Sequence, residues 1–206
     1  MTTAILGLGN MGAGLARRLG GRIDLILGSR DPNAAAALAA EIGASVASYA
    51  DAVAKADIVV LAMPLASALE VAGRLDLKGK IVVDMSNPMT PDFANLTMGY
   101  TTSAGEEVQK ALPASHVVKA FNTIFASVLA SPRASTAAVP VFIAGNDTAA
   151  LDAVAALVTA AGFAPERSGT LDSARLLEPL GLLNVKFAYF LGQGTGIAPA
   201  WVKIAA

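Results

Sequence analysis

Hydrophobic and polar residues follow one another along the chain in blocks. Short, continuous apolar runs rich in β-branched side chains predict strands at Thr3–Leu6, Ile23–Leu27, Asp57–Ala62, Lys80–Asp84, His116–Ala120 and Val139–Ala144. Stretches rich in Ala, Leu and Glu, such as NAAAALAAEIG and SAGEEVQKALP, lie between them and have helical spacing. Apolar runs without polar alternation are typical of strands that are buried on both faces. The pattern therefore predicts an α/β fold in which helices cover a mostly parallel sheet.

The pattern changes after about Asp147. DTAALDAVAALVTAAG predicts a helix that an aspartate caps and a glycine ends, and FAPERSG leaves room for one more short strand. A weaker strand is expected near Ala44–Val46. The rest of the chain is predicted to be mostly helical, with a glycine-rich break at GQGTG. We expect one domain over residues 1–168 and a small C-terminal helical segment, residues 169–206, packed on it.

Composition narrows the class of protein. Apolar residues make up 54% of the chain and charged residues 15%, which is typical of a folded domain. The formal net charge of −1 gives no electrostatic case for nucleic-acid binding, and the lack of cysteine excludes disulfides and thiolate catalysis. The apolar window 187–202 is broken by glycine and proline and is too short for a membrane span, and the N-terminus lacks a basic signal segment. We expect a soluble, cytoplasmic protein.

A glycine motif follows the first predicted strand. Gly7, Gly9 and Gly12 have G-x-G-x-x-G spacing, and they open an amphipathic helix. In this context the glycines allow a tight turn, close approach of a pyrophosphate to the backbone, and close packing of helix on strand. The helix N-terminus also offers free N–H groups to phosphate. The motif therefore predicts dinucleotide binding in a Rossmann-type, doubly wound fold.

The end of the second predicted strand indicates which dinucleotide is bound. An NAD-binding fold commonly has an acidic residue there for the ribose hydroxyls, whereas this chain has Gly28, Ser29 and Arg30. Ser29 and Arg30 can donate hydrogen bonds to a 2′-phosphate, which a carboxylate would repel. Asp31 precedes Pro32 and is better explained as a helix N-cap. The sequence favours NADP(H).

Groups suited to acid–base chemistry are scarce. His116 is the only histidine and opens a predicted strand, where we expect it to be solvated; the pair Glu106–Glu107 is expected on an exposed helix face. No His, Asp and Glu cluster has the spacing of metal ligands. Reduction of a ketone or imine normally needs a proton donor, whereas hydride transfer to a flavin-like ring mainly needs two stacked rings in a dry pocket. We therefore expect a flavin or deazaflavin acceptor and no essential ionisable side chain.

Three strand ends are expected to form the hydride-transfer pocket, because ligands of parallel sheets bind beyond the carboxyl ends of the strands. The candidate residues are Met63 and Pro64, Ser86 and Asn87, and Ala120, Phe121 and Asn122. Met63 and Phe121 are predicted to form an apolar wall that excludes water. Asn122 is predicted to hydrogen-bond the polar edge of a bound ring.

Several of these segments together carry a resemblance. GLGNMG, GSRDP, DMSNP, VVKAFNTI, VPVFIAGND and ARLLEPLG resemble the NADPH-dependent deazaflavin (coenzyme F420) reductase family and the cytosolic domain of STEAP-type ferric reductases. The resemblance implies a Rossmann fold with a small C-terminal part, NADP(H) as cofactor, and frequent dimers. It also implies that Gly9, Asn10 and Met11 hold the pyrophosphate and that Ser29 and Arg30 hold the 2′-phosphate.

The same resemblance implies roles near the reacting ring. Met63 and Pro64 would flank the ribose and the nicotinamide, and Ala120 and Asn122 would lie near the hydride-transfer face. Archaeal members tend to have histidine where this chain has Asn122, so the identity of the acceptor stays open between a flavin and coenzyme F420. The STEAP-type reductases continue into a membrane haem domain, which this sequence does not contain.

Two other functions stay open from the sequence. One is a β-hydroxyacid or imine (pyrroline-carboxylate-like) reductase, which shares the glycine motif and DMSNP loosely, although the tail after the predicted sheet is short for the helical substrate domain of those enzymes. The other is a non-enzymatic NADP(H) sensor. Separately, Phe187, Tyr189, Phe190 and Trp201 gather much of the scarce aromatic content near the C-terminus, which predicts a homodimer interface or, alternatively, packing within one subunit.

Overall fold

The structure, a computed structural model, describes residues 1–202 and residue 204, and one eight-stranded sheet runs through it. Residues 203, 205 and 206 of the predicted C-terminal segment lie outside the described residues. The strands are β1 (Thr3–Leu6), β2 (Leu25–Gly28), β3 (Ser45–Ala47), β4 (Ile58–Leu61), β5 (Ile81–Asp84), β6 (His116–Ala120), β7 (Pro140–Gly145) and β8 (Ala164–Arg167). The predicted strands are confirmed, including the two weaker ones, with ends that differ by one or two residues.

The strand order across the sheet is β3-β2-β1-β4-β5-β6-β7-β8, and β6 and β7 form the one antiparallel pair. The mostly parallel, doubly wound sheet predicted from the sequence is therefore confirmed. The register places Gly28, Leu6, Leu61, Asp84 and Lys119 side by side across five neighbouring strands. The segments that follow these residues consequently meet along one edge of the sheet.

Helices cover both faces of the sheet. They are α1 (Asn10–Leu19), α2 (Pro32–Ile42), α3 (Tyr49–Lys55), α4 (Leu65–Arg74), α5 (Ala104–Ala111), α6 (Ala126–Ala130), α7 (Arg133–Thr136), α8 (Thr148–Ala160) and α9 (Ala174–Val185). In β1, Ile5 belongs to a core cluster with residues of α1, α2 and α8, whereas Ala4 and Leu6 belong to a second cluster with residues of α3, α4 and α5. This alternation shows that β1 is buried on both faces, which explains its continuous apolar sequence.

Local signals account for several helix ends. The Oδ1 atom of Asp31 accepts a hydrogen bond from the Asn33 N–H at 3.0 Å, so this residue caps α2 as predicted. Asp147 caps α8 in the same way, through the Ala150 N–H at 2.7 Å, and Gly162 follows the helix at φ +86°. The glycine can adopt this left-handed conformation without a Cβ clash.

The C-terminal part continues from the sheet through a 3₁₀ turn, Leu171–Ser173, into α9 and then a π-helical turn, Lys186–Phe190. The side chain of Leu177 in α9 packs with Phe142 and Ala144 of β7. The division of the chain between residues 168 and 169 stays a prediction. Within the described residues, no helix combines the length and the apolar character that a membrane crossing requires.

Candidate functional site

The three motif glycines each have the geometry that their position requires. Gly7 has φ +94°, and a Cβ there would lie 2.5 Å from the carbonyl oxygen of Ala62. A Cβ on Gly12 would lie 1.9 Å from the Gly7 oxygen, so only glycine lets α1 pack this closely on the loop. A Cβ on Gly9 would have no neighbour within 4 Å, and no side chain caps α1. The N–H groups at the start of this helix are therefore available to a phosphate group.

A first cavity, of about 810 Å³, lies at the carboxyl ends of β1, β2 and β4. Of the predicted cofactor-binding residues, it is lined by Gly7, Gly9, Ser29, Arg30, Met63 and Pro64. The Ser29 hydroxyl donates to the Asp31 carbonyl oxygen at 2.6 Å, so it would have to rotate before it could donate to a phosphate. Arg30 also lines the cavity and is exposed.

Sequence reasoning missed part of this lining. Ser48, Tyr49 and Arg74 also face the first cavity. Arg74 lies in the last turn of α4 and forms an exposed ion pair with Glu70 at 3.0 Å. In the sequence these residues have the pattern of an ordinary solvated helix end, and only the packing of α3 and α4 beside β1 brings them to the cavity. Two arginines, Arg30 and Arg74, therefore line the cavity together with the carboxylates of Asp31 and Glu70.

A second cavity, of about 760 Å³, lies beside the first, and Pro64 lines both. Its aromatic lining comes from Phe93, Phe125, Tyr189 and Phe190. The rings of Phe125 and Tyr189 meet edge to face, with centroids 6.0 Å apart. The second cavity is thus a mostly apolar space that meets the first at Pro64.

Two amide side chains connect the sheet edge to α9 beside the second cavity. Asn87 Nδ2 donates to the Asn122 carbonyl oxygen at 2.7 Å, and Asn122 Nδ2 donates to Asn87 Oδ1 at 3.0 Å and to the Leu177 carbonyl oxygen at 2.9 Å. A Cβ on Gly181 of α9 would lie 2.9 Å from both the Asn122 oxygen and Asn87 Nδ2. The absence of a side chain at Gly181 therefore allows α9 to form one wall of the cavity.

Three buried polar atoms at this edge have no hydrogen-bond partner among the described residues: Ser86 Oγ, Asn122 Oδ1 and Thr123 Oγ1. Each of these residues is 5% exposed or less. Buried polar groups are ordinarily satisfied, so such atoms are candidates for bonding a ligand. Asn122 and Thr123 line the second cavity, and Ser86 lies next to Asn87, which also lines it.

A fully buried ion cluster, which sequence reasoning did not single out, supports the same edge. Lys119 Nζ lies 2.8 Å from Asp84 Oδ2 and 2.7 Å from Glu178 Oε1, and it also donates to the Ser86 carbonyl oxygen. The side chains of all three charged residues are at most 1% exposed. The Ser86 N–H donates to Asp84 Oδ1 at 2.9 Å. The cluster therefore hydrogen-bonds both the N–H and the carbonyl oxygen of Ser86.

The ion cluster also fixes two helices. Glu178 of α9 accepts hydrogen bonds from the Ala104 N–H at 3.0 Å and the Gly105 N–H at 3.2 Å, at the N-terminus of α5. A carboxylate at this position interacts favourably with the positive end of the helix dipole. In the sequence, Asp84, Lys119 and Glu178 are charged residues in the otherwise apolar segments KIVVD, VVKAF and LLEPLG. Only the sheet register, which pairs Asp84 with Lys119, reveals that the charges meet.

The structure corrects the predicted position of Phe121. Its side chain is completely buried and belongs to the core cluster below the sheet edge, so it does not line the second cavity. Its φ of +63° is a strained conformation for a bulky residue, and such strain concentrates at functional sites. Phe125, four residues later, provides the aromatic wall in its place. A left-handed turn after β6 could not be read from the sequence pattern.

Three other predicted cofactor-binding residues do not line the first or the second cavity. Ala120 is fully buried in the core, and Met11 packs against the same core cluster from α1. Asn10, the first residue of α1, lines a groove between α1 and α6 that shares Leu8 and Gly9 with the first cavity. Their predicted roles in binding stay predictions.

The two acid–base candidates considered from the sequence lie away from the cavities. The side chain of His116 is 45% exposed at the start of β6, the end of the sheet opposite the cavities, so the predicted solvated position is confirmed. The predicted exposed position of Glu106 is wrong. Glu106 is half-buried and forms a bidentate ion pair with Arg175, at 2.8 and 2.5 Å. The Arg175 guanidinium holds the pKa of the Glu106 carboxyl below its usual range. This pair ties α5 to α9.

Comparison with known proteins agrees with this geometry. Residues 2–88 match the family model described as NADP oxidoreductase coenzyme F420-dependent. The chain is 35% identical to metalloreductase STEAP3 of Rattus norvegicus over 184 residues, which are 87% of this chain and 36% of the rat protein. The chain thus spans about a third of the length of that relative.

Two further relatives match over almost their full length. The F420-dependent NADP reductase of Methanocaldococcus jannaschii is 31% identical over 220 aligned residues, 96% of this chain and 97% of that protein. The crystal structure of a candidate F420-dependent NADP reductase from Arthrobacter sp. FB24 has a TM-score of 0.82 and 33% identity, over 95% of this chain and 96% of that chain. Because these matches cover the glycine loop, the sheet and α9 alike, the chain belongs to the family of coenzyme F420-dependent NADP oxidoreductases and is an NADP-dependent oxidoreductase.

Proposed function

We propose that the protein transfers a hydride between NADP(H) and the ring of a flavin or deazaflavin. The observation that carries the proposal is the junction of the two cavities at Pro64. The first cavity begins at the glycine loop and Arg30, and the second is a mostly apolar, aromatic-lined space. A dinucleotide that extends along the sheet edge would present its nicotinamide at the junction, where a second flat ring has room to stack.

The residues of the first cavity fit NADP(H). The uncapped N-terminus of α1 and the open space above Gly9 suit a pyrophosphate, and Arg30 with Arg74 suits a 2′-phosphate. At the other end, a carboxamide needs both hydrogen-bond donors and acceptors. The unpartnered atoms Asn122 Oδ1 and Thr123 Oγ1 would satisfy it. The site therefore offers complementary groups at both ends of the dinucleotide.

The chemistry needs little from ionisable side chains. Bound NADPH would supply a hydride from C4 of its nicotinamide to N5 of a flavin or C5 of a deazaflavin, and a solvent proton would complete the reduced ring. The contribution of the protein is to hold the rings in contact and exclude water. One wall of the second cavity is α9, which is positioned by the contacts of Gly181 with Asn87 and Asn122. The apolar surface comes from Phe125 and Tyr189.

Cofactor preference tests the first half of the proposal. Arg30→Ala should weaken NADPH binding by about 1.5–3 kcal/mol, the range for a hydrogen bond to a charged group, and leave NADH binding nearly unchanged. Binding can be measured by the fluorescence of the reduced nicotinamide. Arg167→Ala is the matched control, since Arg167 is an exposed arginine on β8 outside the first cavity. Equal affinity of the wild-type protein for NADPH and NADH would contradict the proposal.

We also propose that the protein is a homodimer in the cytoplasm. The location rests on composition alone. The dimer rests on the large exposed apolar side chains that gather at the C-terminal part, among them Leu183, Phe187, Tyr189, Phe190 and Trp201. Exposed apolar side chains in such number are typical of an interface. Since two of these residues also line the second cavity, a partner subunit would help to close it.

A further inference from the structure

Three segments of the chain line the second cavity in addition to Pro64. They are the loop after β5 (residues 87–93), the segment after β6 (residues 122–125), and α9 with the π-helical turn (residues 181–190). In the loop after β5, Pro91, Asp92 and Phe93 are all exposed. A ring bound in the second cavity would therefore bury part of a loop surface that is otherwise in contact with solvent.

The loop after β5 folds back on itself as a small hydrogen-bonded hairpin. Met89 and Leu96 form an isolated antiparallel bridge, and the Thr90 N–H donates to the Asn95 carbonyl oxygen at 2.8 Å. Between these contacts the Phe93 N–H donates to the Thr90 carbonyl oxygen at 2.9 Å. Backbone hydrogen bonds thus hold Phe93 in a defined position beside the cavity.

Phe93 combines high exposure with an unfavourable backbone conformation. It is 57% exposed and belongs to none of the core clusters that the described residues form. Its φ of +57° lies in the left-handed region, where a bulky side chain is strained and glycine or asparagine is favoured. A large apolar side chain therefore occupies a position where neither the backbone nor the core requires one.

Strain alone does not mark a binding residue, as Tyr100 shows between the same two elements, β5 and α5. Tyr100 has φ +60° and is 83% exposed, but it lines neither the first nor the second cavity. Phe93 differs from it in lining the second cavity. The two residues are consequently a matched pair of exposed aromatic side chains in the left-handed conformation, of which one borders the candidate site.

The ring of Phe93 also has no aromatic partner among the described residues. Phe125 and Tyr189, which line the same cavity, already meet edge to face with each other. Stacking on a flat ligand requires a free aromatic face, and it needs neither a charge nor a hydrogen bond on the protein. Phe93 meets this requirement in a cavity whose lining is mostly apolar.

We infer that Phe93 stacks on the ring of the hydride acceptor and is a specificity-determining residue for three-ring acceptors. The inference rests on the proposed function, because it names the residue that binds the acceptor in the same site. Flavins and deazaflavins share a flat three-ring system, so the contact serves both and places no requirement on the tail of the acceptor. NADP(H) is held by the first cavity, so its affinity does not depend on Phe93.

The experiment measures the affinity of the NADP⁺-saturated protein for 5-deazariboflavin by the change in deazaflavin fluorescence, so that no turnover takes place. Phe93→Asn removes the ring and introduces a residue that tolerates the left-handed conformation. Loss of one aromatic stacking contact should weaken binding by about five- to thirtyfold. Phe93→Tyr keeps the ring and should bind as the wild-type protein does. The control Tyr100→Asn should leave the affinity unchanged.

Three further readouts separate stacking from a structural role of Phe93. The affinity of Phe93→Asn for NADPH should equal that of the wild-type protein. Its melting temperature should stay within about 4 °C of wild type, because relief of the left-handed strain offsets the lost partial packing. Coenzyme F420 has the three-ring core of 5-deazariboflavin and a different tail, so the variant should lose affinity for both by a similar factor.

The contrary results are equally specific. The inference is overturned by wild-type affinity of Phe93→Asn for 5-deazariboflavin, by an equal loss in Tyr100→Asn, or by no binding to the wild-type protein. It is also overturned if NADPH affinity falls by the same factor, if melting drops by more than the stated range, or if only one deazaflavin is affected.

Anaerobic mixing with NADPH tests the proposed function separately. If 5-deazariboflavin binds through Phe93 and yet is not reduced, the proposed hydride transfer is wrong while the stacking contact stands. If it is reduced and Phe93→Asn binds it as tightly as the wild-type protein, the inference is wrong while the proposed function stands.

Discussion

Replacement of Lys119 by methionine tests the role of the buried ion cluster in the fold. Methionine has nearly the length of lysine, so the change removes the charge and three hydrogen-bond donors while filling the same volume. Asp84 and Glu178, both at most 1% exposed, would lose their shared cation. Removal of one partner from a buried ion pair costs about 3–5 kcal/mol, because an uncompensated charge remains. We expect Lys119→Met to lose that amount of unfolding free energy.

The measurement is thermal unfolding followed by circular dichroism. For a chain of this length each kcal/mol corresponds to about 2–4 °C, so the melting temperature should fall by about 6–20 °C. Lys110→Met is the matched control. Lys110 pairs with Glu107 at 2.7 Å on the surface, where such pairs contribute little, and its removal should shift melting by less than about 2 °C. A loss for Lys119→Met no greater than that of the control would refute the reasoning.

A further variant separates the lost cation from lost packing. Addition of Asp84→Asn and Glu178→Gln to Lys119→Met removes the two unpaired carboxylate charges and keeps a carbonyl acceptor at each position. We expect this triple variant to recover part of the lost stability, because replacement of a whole buried ion cluster costs less than removal of one member. A triple variant that is less stable than Lys119→Met would show that the charges are not the source of the loss.

Three other predictions follow from the contacts of α9 and its neighbours. Gly181→Ala should raise the KM for both the acceptor and NADPH severalfold in steady-state assays, since its Cβ would lie 2.9 Å from the amide pair that includes Asn122. The control Gly73→Ala, in a helix with open space, should stabilise the protein by about 0.5–1 kcal/mol. Arg175→Gln should lower the melting temperature at pH 7, and the difference from wild type should vanish as the pH falls through the depressed pKa of Glu106, because the pair stabilises only the ionised carboxylate. The wild-type protein should have twice the monomer mass in light scattering, and Phe187→Ser should lower the measured mass toward that of the monomer. A wild-type monomer at micromolar concentration would contradict the proposed dimer.

Local sequence signals were sufficient for the sheet and the cofactor loop. The spacing of Gly7, Gly9 and Gly12 fixes the loop, because backbone conformation and close approach act within a few residues. The aspartate caps at Asp31 and Asp147 are equally local. Once the strands are known to be parallel, their carboxyl ends must share an edge, so the general position of the site follows as well.

The parts that the sequence did not predict depend on contacts between distant segments. Lys119 and Glu178 are 59 positions apart, and nothing near either residue indicates that they meet. Gly181 has a role only because α9 packs on the amide of Asn122. Phe121 was assigned to the cavity wall because it follows the carboxyl end of a strand, but in the structure it has a left-handed φ and its side chain lies in the core. These features become visible only when the tertiary packing is known.

The most direct test of the proposed function is isotope transfer from NADPH to a deazaflavin ring. The protein is incubated with 5-deazariboflavin and NADPH that carries deuterium at one of the two nicotinamide C4 positions, and the reduced product is analysed by mass spectrometry. Hydrogen bound to C5 of the deazaflavin does not exchange with water, so a transferred deuterium is retained. Direct hydride transfer predicts that one of the two C4-labelled forms of NADPH yields product with one added deuterium. Reduced product without deuterium from either form, or no reduction at all, would contradict the proposed hydride transfer.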